Sequence, residues 1–466
     1  MNAAISPERH RQRRLALAER VAGPILLLGN GERNRNLPMN KLPFRQDSTF
    51  LYFTGCALPN AAALLVDGKI TLFLPVPDDD DHLWHGPTPS PAAIGAALGV
   101  DQVRPIEMLE EALVGMSPAT LAVADEQVNA WASDALGLPL RFGKEHGSEA
   151  LIDAVIALRR VKEADEIAQM RLAAQHTADA FRAVMQATVV GGHEVVLAAL
   201  FEGVLAARDC TTGYGTILTQ AGEVLHNHHH GEPLQDGRLL LLDGGGEVGT
   251  GYGVDITRAW PVNGRFSARQ RAAYQVVLEA ERLAIAQCRV GTRYRAVHDT
   301  AALHIARFLR DEGVLRCSPE EALETGAHGL FFPHGVGHLL GMDVHDLENF
   351  GDRPSYPAGQ GRPLPFGTCY LRLDLPLEAG WVVTIEPGFY AVPGILNSPA
   401  LRERFAAQVD FERASAWLGL GGIRVEDDVL ITHGEPEVLT SAVPSDIAAL
   451  EALIGSAPGV AGALAR

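Results

Sequence analysis

Four leucines followed by an aspartate, Leu239 to Asp243, constrain this chain more than any other stretch. A run apolar at every position has no wet face, so as a strand it must be covered on both sides. The flanks supply the cover. From Leu151 to Ala207, apolar residues recur at three- and four-residue spacing among Arg159, Arg160, Lys162, Glu163, Asp165 and Glu166, and Phe266 to Leu309 reads as two further helices. Asp243 then ends the strand at the rim of a core, where a carboxylate is costly unless partnered. Downstream, Asp255 lies in Tyr252-Gly253-Val254-Asp255-Ile256-Thr257-Arg258. A hairpin in the glycine-rich stretch between them would make the two carboxylates converge, although each alone reads more readily as a turn aspartate.

That stretch also holds a decoy. Gly244-Gly245-Gly246-Glu247-Val248-Gly249 satisfies GxGxxG after a strand. A dinucleotide site needs a helix to open there, and Thr250-Gly251-Tyr252-Gly253 cannot open one.

His334, His338 and His345 follow in one short segment. His334 and His338 have the spacing of a zincin helix, but the glutamate of HExxH is missing, and Gly335 and Gly337 disfavour a helix. The segment reads as a glycine-rich strand or loop that brings imidazoles to a site. Glu386 and Glu426 each close a β-branched run, Val382-Val383-Thr384-Ile385 and Ile423-Arg424-Val425, which sets both at strand ends. Two aspartates, two glutamates and a histidine form a hard, oxygen-rich ligand set, suited to Mn²⁺ first and to Zn²⁺ or Co²⁺ as alternatives. Four carboxylate charges balance two divalent ions. Such a pair, about 3.5 Å apart, acidifies a shared water and polarises a carbonyl without a serine nucleophile, and no GxSxG is present.

At 466 residues the chain exceeds one ordinary core. The first ~145 residues read as a small α/β domain, with strands at Ile25–Leu28, Ala62–Val66 and Ile70–Leu74, the last two joined by a hairpin at Asp67-Gly68. Ser6 and Pro7 start a helix, and Glu19 and Arg20 break its apolar stretch too early for a signal peptide. Ser318-Pro319-Glu320-Glu321 opens another helix, and Ser445 caps a short last one before a small-residue tail. The acid run Asp78–Asp81 and the run His228-His229-His230 read as solvated loops. A net charge of −18 repels phosphate backbones, which excludes nucleic acid as a partner. No apolar run approaches the ~20 residues of a membrane span. Five scattered cysteines suit a reducing cytoplasm.

Taken together, these residues resemble the pita-bread metallopeptidases, in the branch of aminopeptidase P and prolidase. Asp255-Ile256-Thr257-Arg258 with Pro261-Val262-Asn263-Gly264 looks like the branch's DITR…PVNG signature, and His334-Gly335-Val336-Gly337-His338 with Asp343-Val344-His345-Asp346 looks like its histidine motif. Pro43-Phe44-Arg45-Gln46-Asp47-Ser48 and Tyr52-Phe53-Thr54-Gly55 are similar to its N-terminal entry, so the likeness spans nearly the whole chain. It implies an α+β fold, with a small α/β domain over residues 1–150 and a pita-bread catalytic domain over 151–466. It implies that Asp243 holds one metal with both oxygens, that Asp255 and Glu426 bridge two metals, and that His338 and Glu386 complete the second. Glu386 would also take the proton of the attacking water. His226 would contact substrate, His334 and His345 would line the pocket and face the developing oxyanion, and Arg424 and Tyr390 would be polar groups beside the metals. The expected substrate is a proline-containing di- or oligopeptide, and the expected assembly a homo-oligomer, dimer or tetramer. The bond before proline lacks an N–H, and a metal pair needs only its carbonyl. Arg372, in what looks like a prolidase insertion, tilts the expectation toward an Xaa-Pro dipeptidase, where it would hold the free carboxylate. The plainer reading pairs it with Asp374 or Glu378. The alternatives are an Xaa-Pro aminopeptidase acting on longer peptides and, from another class, a metal-free binding module of the same fold.

Overall fold

Pro7–Arg20 is helical because Ser6 accepts the Arg9 amide and Pro7 fills a first-turn position that needs no donor. Asp67 and Gly68 both have positive φ (49° and 75°), the geometry of a primed turn, and they join Ala62–Val66 to Lys69–Leu74. These strands lie in a five-stranded sheet ordered Gln102–Pro105, Lys69–Leu74, Ala62–Val66, Ile25–Leu28, Ala119–Thr120, with parallel outer pairs and antiparallel inner ones. Leu26, Leu28, Leu64, Phe73, Leu109 and Leu113 fill the core on one side of it.

The computed structural model describes residues 5–77 and 80–457; Asp78 and Asp79 of the acid run, and the tail from residue 458, lie outside the described residues. The chain forms two compact units, Met1–Arg160 with Leu347–Pro354, and Val161–Asp346 with Ser355–Arg466. Both mix helices and strands, as the α+β expectation has it. Among the described residues no helix is long and apolar enough to cross a membrane.

In the second unit the plan runs twice. Helices Ala164–Ala187 and Glu194–Ala206 pack on one another and precede strands Ile217–Thr219, Leu239–Asp243 and Thr257–Pro261. Helices Ala268–Ala286 and Tyr294–Asp311 do the same before strands Val382–Ile385 and Asp427–Leu430. Leu239–Asp243 is buried at every position and lies between its two antiparallel neighbours. Single bridges, Thr257 to Glu426 and Leu339 to Val383, tie the second half's glutamate and histidine segments to neighbouring strands.

One expectation gains detail and one needs correction. The stretch between Asp243 and Asp255 is more than a plain hairpin: Gly246–Val248 pairs with Cys210–Thr212 before the chain returns. Gly245 makes this possible, since a Cβ there would sit 1.6 Å from the Val254 carbonyl oxygen. The GxGxxG run accordingly opens no helix. The last helix, Ile447–Leu453, starts from Asp446 and not Ser445. The Ser445 carbonyl is fixed instead by the Tyr274 hydroxyl at 2.7 Å.

Candidate metal centre

The antiparallel register sets Thr257 opposite Asp243, which brings Asp255, two residues earlier, to the same sheet end. The Tyr214 hydroxyl closes the gap, lying 2.5 Å from Asp243 Oδ1 and also bonded to Asp255 Oδ1. From the second half, the Glu426 amide donates to the Thr257 carbonyl at 3.1 Å, and Glu426 Oε2 accepts the Thr257 hydroxyl at 2.5 Å. The Glu386 amide donates to the Val336 carbonyl at 2.8 Å, which sets the glutamate beside the histidine segment.

That segment is irregular, as its glycines dictate. A Cβ on Gly337 would meet the Thr384 carbonyl oxygen at 2.2 Å, so only glycine lets it lie against strand Val382–Ile385. The His338 amide donates to Thr384 Oγ1, and Nδ1 donates to the Leu339 carbonyl at 3.0 Å. The second bond fixes the tautomer and turns the Nε2 lone pair toward the acids, 3.4 Å from Asp255 Oδ2 and 3.7 Å from Glu386 Oε1. One donor atom each from Asp255, His338 and Glu426 lie within 4.8 Å of one another, the spread of a metal site. All five residues expected as ligands therefore converge, Asp243 through Tyr214 and Glu386 through His338.

Burial pushes Asp243 up to about 6 and Glu386 up to about 7, and holds Glu426 and Asp428 well above the carboxylate range; the charge of Asp255 adds to each. Like charges crowded in a dry place hold protons in the absence of a stronger cation. Hard oxygen donors around one imidazole lone pair fit divalent cations, which would displace those protons. Arg424 buttresses the acids, donating to Asp243 Oδ2, to Thr257 Oγ1 at 3.0 Å and to Tyr390 Oη at 3.0 Å.

The other expected residues fall as follows. Tyr390 bonds His334 Nε2 at 2.8 Å, and His334 Nδ1 donates to the Gly335 carbonyl at 2.7 Å. Both nitrogens of His334 are thus engaged, and burial depresses it to about 3. The His345 ring lies 4.2 Å from that of His338 and reaches solvent. His338 first, and then partial desolvation, push its pKa down. His226 is exposed, with Arg424 and Arg372 in electrostatic reach. Arg372 faces the same histidines, acting electrostatically on His226, His334 and His345. Asp374, offered as its plain partner, is held instead by Arg293 at 2.6 and 3.0 Å. Sequence reasoning missed Tyr214, Thr384 and Asp428, whose Oδ2 accepts the Asp255 amide at 3.1 Å. The glycines flanking Tyr214 were its one visible signal.

A largely buried knot of four carboxylates and an imidazole, carried by paired strands between helices, fits divalent cations and suits metal-dependent hydrolysis. Residues 168–433 match metallopeptidase family M24, and residues 10–121 match the N-terminal domain of aminopeptidase P. The chain belongs to metallopeptidase family M24, in its pita-bread aminopeptidase P and prolidase branch. It is 32% identical over 462 residues to a probable Xaa-Pro aminopeptidase of Ajellomyces dermatitidis, covering 93% of this chain and 96% of that one. It is 33% identical to another from Talaromyces marneffei, covering 86% of each. Among solved structures it is similar to the aminopeptidase PepP of Pseudomonas aeruginosa, with a TM-score of 0.81, 28% identity and coverage of 97% and 99%. It is also similar to zinc-substituted Escherichia coli aminopeptidase P in complex with product, with a TM-score of 0.79, 28% identity and coverage of 98% and 99%.

Proposed function

We infer that the protein is an Xaa-Pro aminopeptidase that hydrolyses the bond before proline in peptides longer than a dipeptide. The observation that carries this reading is full-length similarity to Xaa-Pro aminopeptidases together with the convergence of five ligand-type side chains. The tilt toward a dipeptidase, which rested on Arg372 and apparent insertions, is not supported by these relatives; the aminopeptidase alternative fits them better. We also propose the division into residues 1–150 and 151–466, in keeping with family matches at 10–121 and 168–433.

On this reading Asp243, Asp255, His338, Glu386 and Glu426 hold two divalent ions, with Mn²⁺ the first candidate. Bound there, the ions supply an acidified water and a charge that polarises the scissile carbonyl. Glu386, whose amide is fixed on the Val336 carbonyl beside the histidine segment, takes the water's proton. His345, which reaches solvent beside His338, faces the developing oxyanion. His334, engaged on both sides, walls the pocket and holds Tyr390. His226 and Arg372 meet the substrate, Arg372 by holding a carboxylate where one is present. The test compares kcat/KM of the Mn²⁺-loaded enzyme on Xaa-Pro-Yaa tripeptides and Xaa-Pro dipeptides. Tripeptides should be the better substrates. Faster dipeptide turnover would restore the dipeptidase, and cleavage of neither would sink the reading.

A further inference from the structure

We propose that Lys162, at the junction of helices Glu149–Arg160 and Ala164–Ala187, is a positioning residue that sets the loop carrying His345 through a buried ion pair with Asp346. Lys162 Nζ lies 3.1 Å from Asp346 Oδ2, and each side chain is only 1% exposed. A charged pair removed from water is costly to build, so its persistence calls for a role beyond surface decoration.

The pair sits on a loop tied to three parts of the centre. Asp346 donates its amide to the Leu339 carbonyl at 3.0 Å, next to His338, and its Oδ1 accepts the Asp343 amide. The Gly341 carbonyl accepts the Gly253 amide at 3.2 Å, on the approach to Asp255. A Cβ built on Gly213, the residue before Tyr214, would meet Val344 Cγ2 at 2.9 Å. His345 lies between Val344 and Asp346, its ring 4.2 Å from that of His338.

Gly341 is an independent mark of the same device. A Cβ there would lie 2.4 Å from Asp346 Oδ2 and 2.9 Å from Lys162 Cε, so the ion pair passes directly over a bare Cα. The next residue, Leu347, is fully buried and has a φ of 66°, a conformation that a bulky side chain adopts only when its surroundings impose it. The loop is therefore clamped at Gly341 and at Asp346, with His345 between the clamps. On the tether side, the Lys162 amide donates to the Gly380 carbonyl at 2.8 Å, two residues before strand Val382–Ile385, against which the His338 segment lies.

This inference rests on the reading that places His345 in the active site, and the experiment separates the two. Lys162→Met, the double variant Lys162→Met/Asp346→Asn, and His345→Ala are loaded with Mn²⁺ and compared per folded molecule. In Lys162→Met we expect kcat to fall about 100-fold, as for a reacting group displaced by about an ångström, with KM changed less than threefold. The double variant, which buries no charge, should regain the wild-type Tm while kcat stays low. A purely structural pair would restore both together. In metal-free protein carrying isotope-labelled histidine, the His345 ring resonances should shift or broaden in both lysine variants. Normal kcat per folded molecule in Lys162→Met, with His345→Ala inactive, overturns the inference alone. Normal activity in His345→Ala overturns the underlying reading. If neither lysine variant folds, the pair is a folding element and the inference is likewise overturned.

Discussion

Two places in the molecule, one in each unit, hold charge in opposite ways. In the first, Arg13 and Arg14 on helix Pro7–Arg20 are almost wholly buried, and they donate to the Tyr52, Phe53 and Gly99 carbonyls at 3.2, 2.9 and 2.6 Å. Two of those carbonyls belong to the end of helix Ser48–Thr54, where the helix dipole is negative and the oxygens lack intrahelical partners. Cation meets acceptor, and the sum is structural. In the second unit, Asp243, Asp255, Glu386 and Glu426 are brought toward one another, with Arg424 bonded directly to Asp243. Anion meets anion, a gathering that weakens the fold until cations arrive. At these two places, cations set against neutral acceptors serve the scaffold, whereas like charges set together make a site.

The largest effect should separate these uses outright. Glu386→Gln should lower kcat by about 10²- to 10⁴-fold through loss of the general base. It should leave the Tm of the chelated protein unchanged or higher, because it removes one of the crowded charges. Arg14→Met should do the reverse. Leaving one buried and one partly buried carbonyl unpaired costs on the order of 2 kcal/mol, while kcat per folded molecule stays within twofold. Urea unfolding and steady-state kinetics on both variants measure this. A destabilised Glu386→Gln protein with near-normal turnover would break the comparison.

Much of this contrast was legible in the sequence because it follows local rules. Acids that end apolar strands, such as Asp243, Glu386 and Glu426, stand at core rims by the periodicity of a strand alone. Ser6, Asp67-Gly68 and Ser318 announced their helix starts and turn by short-range chemistry, and the structure has each. What stayed hidden was long-range. Tyr214 is far from Asp243 in sequence, and the pairings of Cys210–Thr212 with Gly246–Val248 and of Ile217–Thr219 with Leu239–Asp243 bring its loop there. Asp428 follows Glu426 and Asp427 in a run of three acids, with nothing local to set it apart, yet it turns inward to hold the Asp255 amide. Ser445 had the right chemistry for a cap, but a tertiary bond from Tyr274 fixed it elsewhere. The tilt toward a dipeptidase lacks support from the relatives for a related reason: a single arginine carries little information about the length of peptide that reaches it.

Removing the cations should give the next largest effect, with a sign that depends on pH. Ions at about 100 to 1,000 times their dissociation constant stabilise by about 3–4 kcal/mol each, so chelation at pH 8 should lower the Tm and abolish activity. In the stripped protein, Glu386 at about 7 and Asp243 at about 6 are raised above their unfolded values near 4. The folded state then binds more protons than the unfolded one between about pH 4 and 7, and protonation favours folding. The stripped protein should gain Tm as pH falls from 8 to 6. The loaded protein should lose it, because protons compete with the ions. Melting curves with chelator and with excess Mn²⁺ across this range test the crossing. Parallel curves would show that the acids are not held apart from water and from each other as the geometry has it.

The smallest effect probes a buried group that is neither scaffold nor site. His298, on helix Tyr294–Asp311, is fully buried, and neither ring nitrogen finds a hydrogen-bond partner. Its surroundings are the rings of His328, 6.2 Å away, and Phe332, 5.4 Å away, with Arg295 and His334 adding unfavourable charge. Burial first, and these neighbours second, depress it to about 3. The sign here is opposite to that of the acids. The unfolded imidazole, near 6.5, takes up a proton that the folded one refuses, so stability is lost as pH falls below about 6.5. At pH 5 the loss attributable to His298 is about 2 kcal/mol, from one and a half pH units at about 1.4 kcal/mol each. His298→Leu keeps an apolar side chain in the space and removes the titration. The difference in unfolding free energy between pH 7 and pH 5 should therefore be about 2 kcal/mol smaller in the variant than in the parent. Any release of metal over that range is common to both proteins and cancels in the subtraction. Equal pH dependence in the two would mean that His298 is hydrated in solution, and the contrast between buried complement and buried likeness would then lack its neutral reference.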